Sequence, residues 1–162
     1  MATNPPPLAA GHRPLASELA TYRTAILELQ AVPVMASDTT AGTTTATAYT
    51  ATLTGVTTPL SVSFVAAKSS HVVVVGALIT QQSSGPWNQY MAPVVTGPSF
   101  AYGPNDGDAL IGQWTNNNVS AYSERSTVIT GLTVGNTYTV TPQYRCSGNQ
   151  CTFAQRRIVV HL

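Results

Sequence analysis

Beyond residue 40 the chain alternates apolar and polar side chains with a period of two, and no other feature constrains its fold as strongly. Leu60-Ser61-Val62-Ser63-Phe64 changes face at every residue, and so does Thr137-Tyr138-Thr139-Val140-Thr141, which continues through Gln143 and Tyr144. That period belongs to a strand with one buried face and one wet face. The run from Val72 to Ile79 is almost wholly apolar, which predicts a central strand covered from both sides. Further strands are predicted at 44–54, 88–95, 109–114, 126–130 and 151–161. Turn residues separate them: Gly55, Ser83-Ser84-Gly85-Pro86, Gly97-Pro98, Gly103-Pro104-Asn105-Asp106-Gly107 and the stretch from Gly131 to Gly135. Many short strands with turns between them and no intervening helices predict an all-β, jelly-roll-like antiparallel β-sandwich over residues 40–162.

The leader follows different rules. Residues 1–13 contain Pro5-Pro6-Pro7 and predict an extended arm in polyproline II geometry, which needs no core of its own. Residues 14–35 read as an anchoring helix and linker, with one short α-helix over 14–32. Pro14 suits the first helical position, and Pro33 ends the helix by restricting the residue before it. Leu15, Leu19, Tyr22, Ile26 and Leu29 are spaced four, three, four and three, the a/d seam of a short coiled coil. The same spacing serves an amphipathic helix packed on its own domain, and two heptads do not separate these readings, since three or four are the usual requirement. A lone helix of this length is marginal in water, which favours self-association.

A chain of 162 residues holds one ordinary domain and an appendage. Its 43% hydrophobic content supports a packed core. Only 8% of residues are charged, against about 25% in an average soluble domain. Thr, Ser, Asn and Gln therefore carry the polar surface, which suits a β protein covered by neighbours. A net charge of +1 leaves no electrostatic footprint for nucleic acid. The basic residues are scattered, and the adjacent Arg156-Arg157 read as ordinary surface charges on a strand. The longest apolar run, His71 to Ile79, is far too short to cross a bilayer. The start, Met1-Ala2-Thr3-Asn4-Pro5-Pro6-Pro7, lacks the features of a signal peptide. Neither nucleic acid nor membrane is expected as a partner, and synthesis in the cytoplasm is.

Catalytic groups are sparse in the β region, whose carboxylates are Asp106, Asp108 and Glu124 and whose histidines are His71 and His161. No phosphate loop, HExxH or nucleophile elbow occurs. Asp106 or Asp108 with Glu124 is the only conceivable glycosidase pair. Asn105-Asp106-Gly107-Asp108 has the look of a calcium loop but lacks the glutamate that an EF-hand requires, and an Asx-type turn explains it. No enzyme activity, metal or cofactor is expected. Trp87, Tyr90, Tyr102, Trp114 and Tyr122 could form a sugar-binding platform, although aromatics equally fill cores and interfaces. Gly148-Asn149 predicts a two-residue primed turn, with Ser147 opposite Gln150 and Cys146 opposite Cys151 at a non-hydrogen-bonded site. α-Carbons there lie about 4.5 Å apart, just inside disulfide range. Both can stay thiols in a reducing cytosol and join after release. The pair alone is too little for a metal.

The run Gly131-Leu132-Thr133-Val134-Gly135-Asn136-Thr137-Tyr138-Thr139-Val140, then Gln143-Tyr144-Arg145, then Thr152-Phe153-Ala154-Gln155-Arg156-Arg157-Ile158-Val159-Val160 resembles small jelly-roll virion proteins of tailed phages infecting actinobacteria. In that group a "GL-turn-G-x-Y-T" strand leads into a short hairpin and a final "F-A-x-R-R" strand. Ala10-Gly11-His12-Arg13-Pro14 and the Ala/Leu helix after it are similar to the adaptor that attaches such domains to a particle. Cys146 and Cys151 depart from the pattern, where Ser, Gly or Thr is common. The resemblance implies a homotrimer in the virion, with the arm and helix as attachment device and the major capsid protein or tail proteins as partners. It implies a capsid decoration protein, with a minor tail, collar or tail-tip protein contacting host-surface carbohydrate as the alternative. A carbohydrate-binding module using the tryptophans and a hydrolase using Asp106, Asp108 or Glu124 are the readings from other classes.

Overall fold

The computed structural model describes residues 15–30, 32–81, 87–114 and 119–161, with the side chains of 27–30 outside that description. Helix α1 (Ala16–Gln30) leads to β1 (Val34–Asp38), β2 (Gly42–Thr44), β3 (Val62–Val65), β4 (Ser70–Gln81) and β5 (Trp87–Gly97). There follow β6 (Phe100–Tyr102), β7 (Leu110–Trp114), β8 (Ser120–Thr130), β9 (Thr137–Cys146) and β10 (Cys151–His161). The arm predicted over 1–13, Pro14 and the turn at 83–86 lie outside the described residues.

All strand pairs are antiparallel and fall into two sheets. One has the order β1-β10-β4-β8, with β2 beside β1 on the same edge of β10. The other has the order β3-β9-β5-β6, with β7 beside β6 along β5. With β1/β2 and β6/β7 each counted as one broken strand, every connection except β5 to β6 crosses between the sheets. That order is the double Greek key of a jelly roll.

The alternation in sequence becomes alternation in burial. Along β4, His71, Val73, Val75, Ala77 and Ile79 are buried while Val72, Val74 and Leu78 are only half-buried. Along β9, Tyr138, Val140 and Tyr144 point inward between exposed or half-buried neighbours. These side chains meet Phe64, Met91, Val95, Ile129, Phe153 and Ile158 in one core between the sheets. Strand β4 is central, as its composition predicts, but the sandwich covers only one of its faces.

Four local expectations are corrected. Residues 44–54 do not form a strand: beyond Thr44 the chain loops, touching its neighbours through the isolated bridges Thr43–Thr54 and Thr50–Tyr144. The hydroxyls of Thr44 and Thr50 instead accept hydrogen bonds from the backbone N–H groups of Ala46 (3.1 Å) and Thr52 (3.3 Å), local bonds that compete with a ladder. Strands β1 and β6 fall outside the predicted segments. The connection from β9 to β10 is not a hairpin, because the two strands belong to different sheets. Asn149 has φ 51° while Gly148 stays out of the left-handed region, so neither primed turn is formed. The Cys146–Cys151 disulfide, with α-carbons 6.2 Å apart, therefore joins sheet to sheet.

The fourth correction concerns Arg156, which is 1% exposed and not a surface charge. The register of β10 on β4 slips between Ala154 and Arg157, and Gln155 takes φ 46°. This bulge sets two residues against one, turning Arg156 inward and Arg157 outward.

Candidate functional site: assembly surfaces

The carboxylates predicted as catalytic candidates are each engaged in structural contacts. Asp106 is ion-paired with Arg145 and accepts from the Tyr49 hydroxyl at 2.9 Å. The Arg145 guanidinium also lies 3.7 Å from the centre of the Tyr90 ring. Asp108 accepts from the Tyr102 hydroxyl and from Asn105 Nδ2 at 2.8 Å, while its own N–H donates to Asn105 Oδ1 at 3.0 Å. Asn105 thus closes the loop as an Asx residue does, but onto the third residue along and not the second, as an Asx turn would. The Arg145 hydrogen bond holds Asp106 below the usual carboxylate range, and the Tyr102 hydroxyl does the same for Asp108. Both are thereby kept ionised, the opposite of what a general acid needs. Glu124 lies on β8, paired with Arg157 of β10 at 2.5 Å. Among the described residues no three His, Cys, Asp or Glu side chains cluster as metal ligands would.

The five aromatic residues do not share one face. Trp87 and Trp114 stand opposite each other on β5 and β7, above glycines. A Cβ at Gly148 would come within 2.5 Å of the Trp87 ring, and one at Gly112 within 2.7 Å of Trp114. Tyr90 is buried on the other side of β5, beneath Arg145, and Tyr122 belongs to the other sheet. A flat sugar platform would need them side by side.

His71 is a buried clasp. Its Nδ1 donates to the carbonyl of His161 at 3.0 Å, so Nε2 is the acceptor for the Ala67 N–H at 3.2 Å. Burial lowers its pKa from the ordinary 6.5. The ring ties the turn before β4 to the end of β10.

No protein-family model and no curated protein matches this chain. The exposed surfaces therefore carry the functional argument. On α1, the Glu18 carboxylate accepts the Leu15 N–H at 2.7 Å, the returning half of a capping box. The Thr21 and Thr24 hydroxyls bond back to the carbonyls of Ser17 and Ala20. Of the predicted seam, Leu15, Leu19 and Ile26 are 66%, 54% and 52% exposed. Tyr22 is half-buried, Ala25 is buried, and the Leu29 side chain lies outside the described residues. The Leu15–Leu19–Ile26 row is thus not packed on the chain's own sandwich.

A second uncovered surface lies on the outside of the β4 sheet, and nothing in the sequence patterning singled it out as a whole. Met35, Val159 and Val74 stand in one cross-strand row, and His161, Val72 and Val128 in the next. Arg157 and Glu124 flank Gly76 in a charged belt, beyond which Ala154, Leu78 and Tyr122 form another row. A Cβ at Gly76 would come within 2.7 Å of the Tyr122 hydroxyl and 3.0 Å of Glu124 Oε1. Glycine leaves the gap that this ion pair bridges. Met35 and Val128 are 61% and 62% exposed. Their signal was present, as apolar residues at outward positions, but its meaning required the register of four strands that are distant in sequence.

Proposed function

We propose that this chain is a structural protein of a tailed-phage virion: a trimeric capsid decoration protein attached through its N-terminal arm and helix. The observation that carries this reading is the exposed Leu15–Leu19–Ile26 row on α1, immediately ahead of a sandwich whose carboxylates are tied up in structural bonds. An apolar row on a short helix is costly in water unless a partner covers it. Helix and arm together offer a large contact area per residue, offset by the entropy of ordering them on docking. Threefold clustering lets modest contacts from each chain add up to firm attachment.

Gel densitometry of purified particles, with the chain located in an electron-microscopy map, tests the placement. Hundreds of copies on the outside of the head are expected. A handful at the tail would transfer the reading to a tail or collar protein, and absence from the particle would end it. Light scattering of the purified chain is expected to give three times the chain mass.

A further inference from the structure

We propose that the outer face of the β4 sheet is a self-association surface, pairing with the same face of a second copy about a two-fold axis that runs along β4. The inference goes beyond the virion reading and does not depend on it. Strand β4 is apolar on both sides, a pattern found where both faces of a strand are covered. The sandwich supplies cover for Val73, Val75, Ala77 and Ile79 alone. On the other side Val72, Val74 and Leu78 continue into Met35, Val159 and Val128, and no described strand packs on them.

Charge identifies the occupant and its orientation. Arg157 and Glu124 stand one strand to either side of Gly76. A half-turn about β4 sets Arg157 of each copy over Glu124 of the other, so the face is its own complement. A half-turn about an axis across the strands would instead stack Arg157 on Arg157 and Glu124 on Glu124, which is repulsive. The size also suits a second copy. Strands about 4.8 Å apart, rising about 3.3 Å per residue, make this face roughly 600 Å2 in projection. That approaches the about 800 Å2 per partner of a standard stable interface. A two-fold contact cannot close a trimer, so between trimers it would link one assembly to the next.

Sedimentation of the full chain over a range of concentrations, compared with Val128→Lys and Val74→Cys, tests this. Val128 is exposed in the isolated fold, so the lysine has room, and an unchanged thermal transition verifies it. Wild-type chain is expected to associate with rising concentration, and Val128→Lys to weaken that by about a hundredfold, since it buries an unpaired ammonium. Position 74 lies on the axis and faces its own counterpart. Packed sheets lie about 10 Å apart, too far for a direct disulfide, so Val74→Cys is expected to give a covalent dimer with a bis-maleimide of about that span, while Val65→Cys, exposed on the other sheet, does not. The native cysteines are joined to each other and do not compete. A wild-type mass independent of concentration would overturn the proposal. So would Val128→Lys associating as wild type does, or Val65→Cys crosslinking as fast as Val74→Cys.

Discussion

Two inward-facing polar residues govern how this sandwich responds to acid and to mutation. His71 is harder to protonate in the folded chain than in the unfolded one, first because it is buried and second because Lys68 is nearby, although its bond to the His161 carbonyl works the other way. As pH falls below the ordinary 6.5, the unfolded chain takes up the proton first. The His71 contribution to stability is therefore complete above that pH and declines below it until the lowered folded value is reached. Urea midpoints measured from pH 7 to pH 5 are expected to fall in the wild type and to stay nearly level in His71→Gln. An equal slope in both would mean that other groups titrate there. Asp38, held low chiefly by the Thr40 N–H bond, behaves in the opposite sense to a raised group: its contribution is present above 3.8 and is lost as pH drops through its folded value. It also neutralises the buried Arg156, which reaches in addition the Thr40 carbonyl at 3.2 Å and the Tyr144 hydroxyl at 3.4 Å. Asp38→Ala leaves that guanidinium without its counter-ion and should cost about 3 kcal/mol in denaturant unfolding. A loss below about 1 kcal/mol would show that Arg156 finds another way to water.

The disulfide belongs to the scale of elements, because it fastens β9 in one sheet to β10 in the other through a connection that carries no ladder. Closing so short a loop should stabilise the fold by about 2 kcal/mol, and the Cys146→Ser/Cys151→Ser pair should lose about that much. Both sulfurs are buried, so reductant is expected to act only as fast as the sheets part, which thiol-labelling kinetics under native conditions would reveal. Labelling much faster than unfolding would point to local opening at the turn. This element also marks what the sequence could and could not disclose. Period-two segments such as 60–64 and 137–144 expose their strands because each alternation maps onto one buried face, and 72–79 exposes its own as a short apolar run. The segment 44–54 and strand β1 depart from local patterning for different reasons: in 44–54 threonine hydroxyls satisfy the backbone locally, whereas β1 owes its strand state to pairing with Ile158, Val159 and Val160, more than a hundred residues away. The inward turn of Arg156 was equally hidden, since a bulge at Gln155 reverses facing without any local sign beyond the charge itself. Which sheet a strand joins is a long-range fact, whereas the turn chemistry of Gly148-Asn149 is local and by itself predicts a hairpin.

At the scale of the whole molecule, the exposed row of α1 and the core of the sandwich are separate apolar surfaces in one chain. The sandwich closes its own core from residues between Leu53 and Val160, and the exposed row on α1 adds nothing to it. Replacing Leu15, Leu19 and Ile26 together with serine should therefore leave the main thermal transition within about 1 °C, because none of the three side chains reaches the core and serine suits the capping position of Leu15. The same variant should lose trimer mass in light scattering and fail to dock on particles stripped of the native chain, because serine removes the apolar area that makes helix contact favourable. These two readouts separate the roles of the leader. Loss of docking with the trimer intact would assign the row to the particle surface, and loss of the trimer with weakened docking would assign it to self-association with avidity as the consequence. Unchanged mass together with unchanged docking would remove the helix from assembly altogether. The attachment would then have to reside in the arm or on the outer face of the β4 sheet, where Val128→Lys measures it directly.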